Sequence, residues 1–282
     1  MPVRDDLGTR MKTYYEQIPK TKLMRRTPVI IRIDGKAFHT FTRGFDKPFD
    51  TILMLSMQET TKYLCENIQG CVLGYTQSDE ISLVLIDYQK LETSAWFDYE
   101  VQKMCSIAAS MATMAFNKFF TKNVKDKLLG YYESFIPQCI ELQEKIEKYH
   151  ITLEQAVKKG AMFDARVFNI PKEEVANYIY WRQLDATRNS IQMVGQAYFS
   201  HKELHEKTCN MIQDMLFEKY KINWNDYPTP CKRGTCVIRN KMIIEPYGTK
   251  MMCKDLSEGQ WFVDKNIPIF KGEDRKYIEE LI

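Results

Sequence analysis

Apolar and polar positions change their period several times along the chain, and each change marks an element. The stretch Thr27-Pro-Val-Ile-Ile-Arg-Ile-Asp34 is β-branched and runs into Asp-Gly, which predicts a strand ending in a loop. Alternation puts Val29, Ile31 and Ile33 on one face, with Arg32 and Asp34 on the other. Residues 50–67 read as a helix capped by Asp50. A hairpin follows, Cys71–Tyr75 and Ile81–Ile86, joined by the polar turn Thr76-Gln-Ser-Asp-Glu80. Met104, Ile107, Ala108, Met111, Met114 and Ala115 recur at helical spacing and predict a second helix over about 98–119, with this stripe as core. Met162–Phe168 reads as a strand and 176–198 as a helix. Cys236–Arg239 and Met242–Ile244 read as a hairpin turning at Asn240-Lys241.

The order strand, helix, strand, strand, helix, strand is that of a ferredoxin-like unit. The expected class is therefore α+β: a ferredoxin-like core of the polymerase-palm kind, an antiparallel sheet with helices on one face, plus helical and β-hairpin additions. Many unrelated proteins share this topology, so it leaves function open. Three regions follow from the pattern: a palm-like part over 1–120, a charged helical excursion over 121–160, and a part over 161–282 that completes the core.

Composition narrows the classes. A hydrophobic fraction of 44% is that of a folded chain, which sets disorder aside. No apolar run reaches the length of a membrane span, so no membrane partner is expected. Acids near the N-terminus stand where a signal peptide needs an apolar core, and the expected location is the cytoplasm. The eight cysteines contain no CxxC pair, so they read as small buried hydrophobes rather than zinc ligands. A net charge of +3 announces no nucleic-acid binder by itself. Lys20, Lys22, Arg25 and Arg26, the lysines at 118, 122, 125 and 127, and Lys232 with Arg233 form local clusters that suit either a phosphate backbone or a solvated face.

The candidate chemistry lies in Asp34-Gly35 at a strand end and Ser78-Asp79-Glu80 in a hairpin turn. A βαββ unit brings the first strand beside the hairpin, which would unite the two acids at one sheet end. Acids at such places also cap turns without any further task. Alternatively, two carboxylates held close repel unless a cation lies between them, and hard oxygen donors select Mg²⁺. Such a pair is the plan of two-metal phosphoryl transfer.

Longer motifs weigh between these readings. Arg32-Ile-Asp-Gly-Lys-Ala-Phe-His39, Phe45-Asp-Lys-Pro-Phe-Asp50, Gly74-Tyr-Thr-Gln-Ser-Asp-Glu80, Phe163-Asp-Ala-Arg-Val, Tyr180-Trp-Arg-Gln-Leu-Asp185 and Lys232-Arg-Gly-Thr235 together resemble the tRNA-His guanylyltransferase family. The resemblance implies a nucleotidyltransferase that binds two Mg²⁺ ions through Asp34, Asp79 and the carbonyl of Gly35, with Asp34 and Asp79 as the catalytic acids. It implies nucleotide contacts from Asp34, Gly35, Lys36, Ala37, Phe38, His39, Ser78 and Asp79. Lys47, matching the family's F-x-K-P lysine, and Lys103, on the second helix, would neutralise phosphate charge. The implied partners are tRNA, ATP, GTP and other nucleoside triphosphates, in a homo-oligomer for which the family favours a tetramer.

One segment departs from the pattern. Enzymes restricted to tRNA-His carry His-Ile-Asn-Asn-Leu-Tyr-Asn after the Trp-Arg-Gln run, whereas this chain has Thr187-Arg-Asn-Ser-Ile-Gln-Met193. The looser pattern looks like the branch that extends 5′-truncated tRNAs in the 3′-to-5′ direction by copying the opposite strand. Strict addition of one guanosine to tRNA-His and a non-catalytic RNA-binding protein are the alternatives. Arg182, Arg188 and Asn189 are the candidate RNA contacts, with a solvated helix surface as the other reading.

Overall fold

The computed structural model describes residues 6–134, 140–239, 242–244, 250–252 and 259–282. Its strands are β1 (Val29–Gly35), β2 (Cys71–Gln77), β3 (Glu80–Leu85), β4 (Phe163–Asn169), β5 (Thr235–Arg239), β6 (Met242–Ile244), β7 (Lys250–Met252) and β8 (Trp261–Asp264). Six of them form one sheet in the order β4-β1-β3-β2-β5-β8, every neighbouring pair antiparallel. The first four in this order are the ferredoxin-like unit that the alternation of elements predicts.

Two helices cover one face. They are α1 (Thr51–Asn67) and α2 (Val101–Ser134). Asp50 caps α1 by accepting the amide of Leu53 at 2.9 Å, as expected of an aspartate at that position. Val29, Ile31 and Ile33 of β1 and Ile81, Leu83 and Leu85 of β3 meet Met57 and Leu64 of α1 and Met104, Ala108, Ala112 and Phe116 of α2 in one buried cluster. The alanines let α2 lie close to its neighbours. Gly74 does the same for α1, because a Cβ there would fall 2.5 Å from Cys65 Sγ. The alternate side chains Ile30, Leu73, Tyr75 and Val84 face the other way. Val175, Ala176 and Ile179 of α4 (Lys172–Tyr198) cover them, one of the additions to the unit.

The apolar stripe of α2 continues through Phe120 and Val124, both buried, and the helix therefore runs beyond 119. After it comes α3 (Ile140–Lys159), so the charged stretch is helical where described. Its inner side belongs to the core: Leu153 and Ala156 are buried, and Tyr149 donates its hydroxyl to Asp50 Oδ2 at 2.6 Å.

The expected hairpin of 236–239 with 242–244 does not form. β5 is flanked by β2 and β8, so both of its edges are taken, and β6 pairs instead with β7. The turn assigned to Asn240-Lys241 lies outside the described residues. Burial of the strand, not local turn propensity, decided the pairing.

Tyr149→Phe removes the donor to a buried carboxylate. It should lower the urea-unfolding free energy by about 1–2 kcal/mol with the helix signal unchanged; an unaltered midpoint would show that α3 needs no such tie.

Candidate active site

The site sits where β1, the β2–β3 turn and the start of β4 end together. Asp34 and Glu80 are register partners, and the amide of Gly35 donates to the carbonyl of Asp79 at 3.1 Å. The first strand thus lies directly beside the hairpin turn that carries Asp79. On the other side Gly35 pairs with Phe163 of β4. Gly35 has no room for a side chain, since a Cβ would fall 2.2 Å from the ring of Phe38, which folds back over it. That ring is anchored against Phe116 and Phe163, with centroids 5.6 and 5.1 Å away.

Two non-glycine residues here adopt left-handed backbone: Ala37 at φ 54° and Ser78 at φ 49°. Both line a cleft of about 640 Å³ with Gly35, Phe38, His39, Lys47 and Asp79. Asp34 stands at the strand end immediately before Gly35. Among the described hydrogen bonds, none uses the amides of Ala37, Phe38 or His39, whereas the amide of Lys36 is committed to the carbonyl of Met162 at 2.9 Å. Lys36 itself is exposed and outside the lining.

The electrostatics of the two acids differ from those of Glu80. Burial raises the Asp79 carboxyl above the usual carboxylate range, and the charge of Asp34 adds to this, against hydrogen bonds from its own backbone and from Ser78. Neither Asp34 nor Asp79 forms a salt bridge among the described residues. Two like charges that no salt bridge ties down, in an all-oxygen donor set, fit a hard divalent cation, although the Arg32 guanidinium lies within charge range of Asp34. No group of three or more His, Cys, Asp or Glu side chains that could hold a metal exists among the described residues, so any ion here would rest on the two carboxylates together with backbone and non-protein oxygens.

Glu80, next in the chain, is occupied otherwise. Its Oε2 accepts from Arg32 at 2.6 Å and from Arg182 at 2.9 Å, and the residue is buried. The Arg182 guanidinium also lies 3.6 Å from the ring centroid of Trp181.

The fold places three of the expected site residues away from the cleft floor. Arg182, a candidate RNA contact, is only 4% exposed and spent on Glu80, because it faces the sheet rather than solvent. Lys103, a candidate phosphate ligand, is far from the cleft. Its Nζ stacks 4.8 Å over Phe97 at the start of α2, and that start lies at the opposite end of the sheet, where Leu23 bonds to Tyr99. A rise of ~1.5 Å per residue separates it by about 20 Å from Phe116, the part of α2 that reaches Phe38. Asn189 is half-buried and lines a side cavity behind Ser78, with its Nδ2 3.5 Å from Asp185. Arg188 does reach solvent, paired with Asp185.

Motif reading missed Arg43 and Asp46 of the loop and Met193 and Gln196 of α4, all of which line the cleft. Arg43 had a local signal, being a cation four positions before Lys47. The α4 residues had none, since only tertiary folding brings that helix over the turn.

A palm-like sheet whose end presents two acids beside a strained loop fits a nucleotidyltransferase, one of the functions this topology carries. Comparisons with known proteins agree. The family model described as tRNAHis guanylyltransferase (Thg1) matches residues 8–171. A bacterial tRNA(His) guanylyltransferase (Thg1)-like protein solved in complex with ATP is 40% identical, with a TM-score of 0.76 over 98% of this chain and 99% of that one. A structure of such a bacterial protein in complex with GTP is 38% identical, with a TM-score of 0.71 at the same coverage. The tRNA(His) guanylyltransferase of Schizosaccharomyces pombe is 26% identical over 80% of this chain and 77% of its own. The chain belongs to the tRNAHis guanylyltransferase (Thg1) family, and it is a nucleotidyltransferase.

Arg182→Met strands the buried Glu80 carboxylate with Arg32 alone. The expected cost is about 1–3 kcal/mol in a guanidinium unfolding experiment, because Arg32 still pairs with the carboxylate; an unchanged unfolding free energy would mean that Arg182 does not hold the sheet end.

Proposed function

We propose that this enzyme adds nucleotides to the 5′ end of tRNA in the 3′-to-5′ direction, choosing each base by pairing with the opposite strand. The observation that carries the reading is the juxtaposition of Asp34, at the end of β1, with the turn bearing Asp79, which lines a cleft with Gly35, His39 and Lys47, neither acid being tied in a salt bridge among the described residues. Similarity to proteins solved with ATP and with GTP supports nucleotide use.

Asp34, Asp79 and the carbonyl of Gly35 would hold two Mg²⁺ ions, which lower the pKa of an attacking hydroxyl and offset charge on the leaving phosphate. The protein's own groups do the rest. The amides of Ala37, Phe38 and His39, presented by the left-handed turn at Ala37, are poised to donate to triphosphate oxygens. Lys47, lining the same cleft, adds a positive charge near those oxygens. The phenylalanine ring over Gly35 excludes water from one side of the strand end.

The chemistry has two steps on a 5′-monophosphorylated RNA. A terminal phosphate oxygen attacks the α-phosphorus of ATP, the new P–O bond forms, and pyrophosphate leaves. The 3′-hydroxyl of the incoming nucleotide then attacks the terminal RNA phosphorus, loses its proton and displaces AMP. A 5′-triphosphate end needs only the second step and releases pyrophosphate. The arrangement relies on positioning and charge, as phosphoryl transfer generally does.

Strict single-guanosine addition is the rival reading. Thr187, standing where the restricted enzymes carry histidine, favours the broader substrate range. The reading also places the enzyme in the cytoplasm, as a homo-oligomer, with Arg188 as a solvent-side RNA contact.

Asp79→Ala should keep the wild-type melting temperature and lower Mg²⁺-dependent labelling of a 5′-truncated tRNA about a hundredfold or more. Substantial retained labelling would refute the assignment. Extending truncated tRNA-His alone, and no other truncated tRNA in a panel, would favour the rival.

A further inference from the structure

Trp181 of α4 is 52% exposed, although an indole has more apolar surface to bury than most side chains. It is held in place nonetheless. The buried Arg182 guanidinium, bonded to Glu80, lies 3.6 Å from the ring centroid, and the Tyr178 ring lies against it with centroids 5.9 Å apart. A fixed cation therefore closes one face of the indole, and the exposed area is what remains for a ligand. A ring so pinned loses little freedom when something stacks on it.

The course of α4 places this ring relative to the acids. The Tyr178 hydroxyl lies 3.1 Å from Ser82 Oγ, and one turn later Arg182 reaches Glu80, so the helix advances toward the sheet end that bears Asp34. Alternation along β1 puts Arg32 and Asp34 on the α4 side, together with Ile30. On β4, Arg166 and Asp164 are their register partners, and both are exposed. The β4 side of this sheet face is thus open to solvent next to Asp34. Arg188, seven positions after Trp181, shares its side of α4 and is exposed as well. Trp181 lines neither the cleft nor the side cavity behind Ser78.

We infer that Trp181 is a stacking platform for an unpaired base of the RNA strand opposite the growing 5′ end. The inference rests on the proposed templated addition. In that scheme the cleft takes the nucleotides, and the RNA reaches Asp34 from outside it, along the open side of β4 and α4. Bases inside a duplex already have both faces covered. Those that a shortened 5′ strand leaves unpaired do not, and an aromatic ring stacks on any of them because every base has a π face. Arg166 on β4 and Arg188 on α4 offer exposed positive charge to the backbone of such a strand. Each is in an ion pair with a neighbouring aspartate, and surface pairs of this kind are weak enough to yield to phosphate.

The test measures binding of the full chain to two RNA duplexes by fluorescence anisotropy, with no nucleotide present. One duplex carries the 3′ overhang that a truncated 5′ strand leaves, and the other is blunt. Trp181→Ala should bind the overhang RNA about tenfold more weakly and the blunt RNA as the wild type does. Trp181→Phe, which keeps a ring, should recover most of the overhang affinity. Equal losses on both RNAs, as a disturbed Arg182–Glu80 contact would give, overturn the inference. So does no loss on either, or a phenylalanine variant as weak as the alanine one. A second arm places 2-aminopurine in turn at each overhang position. Its emission should fall on binding the wild type at one position or more and persist on binding Trp181→Ala; emission unchanged by the wild type at every position overturns the platform. Neither arm needs turnover. A Trp181-dependent overhang preference in a protein that extends no truncated tRNA would keep the platform and end the proposed reaction.

Discussion

A buried carboxylate, Glu80, lies between two guanidiniums, Arg32 from its neighbouring strand and Arg182 from the helix across the sheet. Desolvation pushes the Glu80 carboxyl upward, and the two arginines oppose that shift. This cluster ties three elements together at the end of the sheet that bears Asp34 and Asp79. Both arginines bond to Glu80, whereas its cross-strand partner Asp34 and its chain neighbour Asp79 form no salt bridge among the described residues. The same contact fixes the orientation of α4, which brings Met193 and Gln196 over the turn.

Around this anchor the backbone is held in costly shapes. Ala37 and Ser78 both occupy the left-handed region that side chains disfavour, and both border the cleft. Their surroundings keep them there: the ring of Phe38 packed among Phe41, Phe116 and Phe163, and the ladder that ends at Asp34 and Glu80. Rigid aromatic packing on one side and strand pairing on the other pre-set the loop geometry that phosphate recognition requires.

The outer helix α3 belongs to the same economy of support. Tyr149 bonds Asp50, which also caps α1 and accepts the amide of Asp46 in the cleft loop. Thr152 lies against Gly44 of that loop, close enough that a Cβ at Gly44 would fall 3.1 Å from its methyl. A stretch that looks like a charged excursion in sequence is thus a brace for the loop bearing Lys47, which links its burial to the proposed nucleotide handling.

The alternation of Val29, Ile31 and Ile33, the Met and Ala stripe of α2 and the capping of α1 by Asp50 were all legible along the chain. Period and capping are local, set by geometry within a few residues. So was the convergence of Asp34 with the Ser78-Asp79 turn, since a βαββ order forces the first strand beside the hairpin. Other features were decided only when distant elements met. Arg182 reads as a surface residue beside Trp181, yet the sheet buries it on Glu80. Lys103 reads as a phosphate ligand, but the connection after β3 starts α2 at the end of the sheet opposite the cleft. β6 has strand character, but the occupied edges of β5 sent it to another partner. In each case the residue's chemistry was fixed by the chain, while its task depended on which neighbour desolvated it, and desolvation is a property of packing across the whole fold.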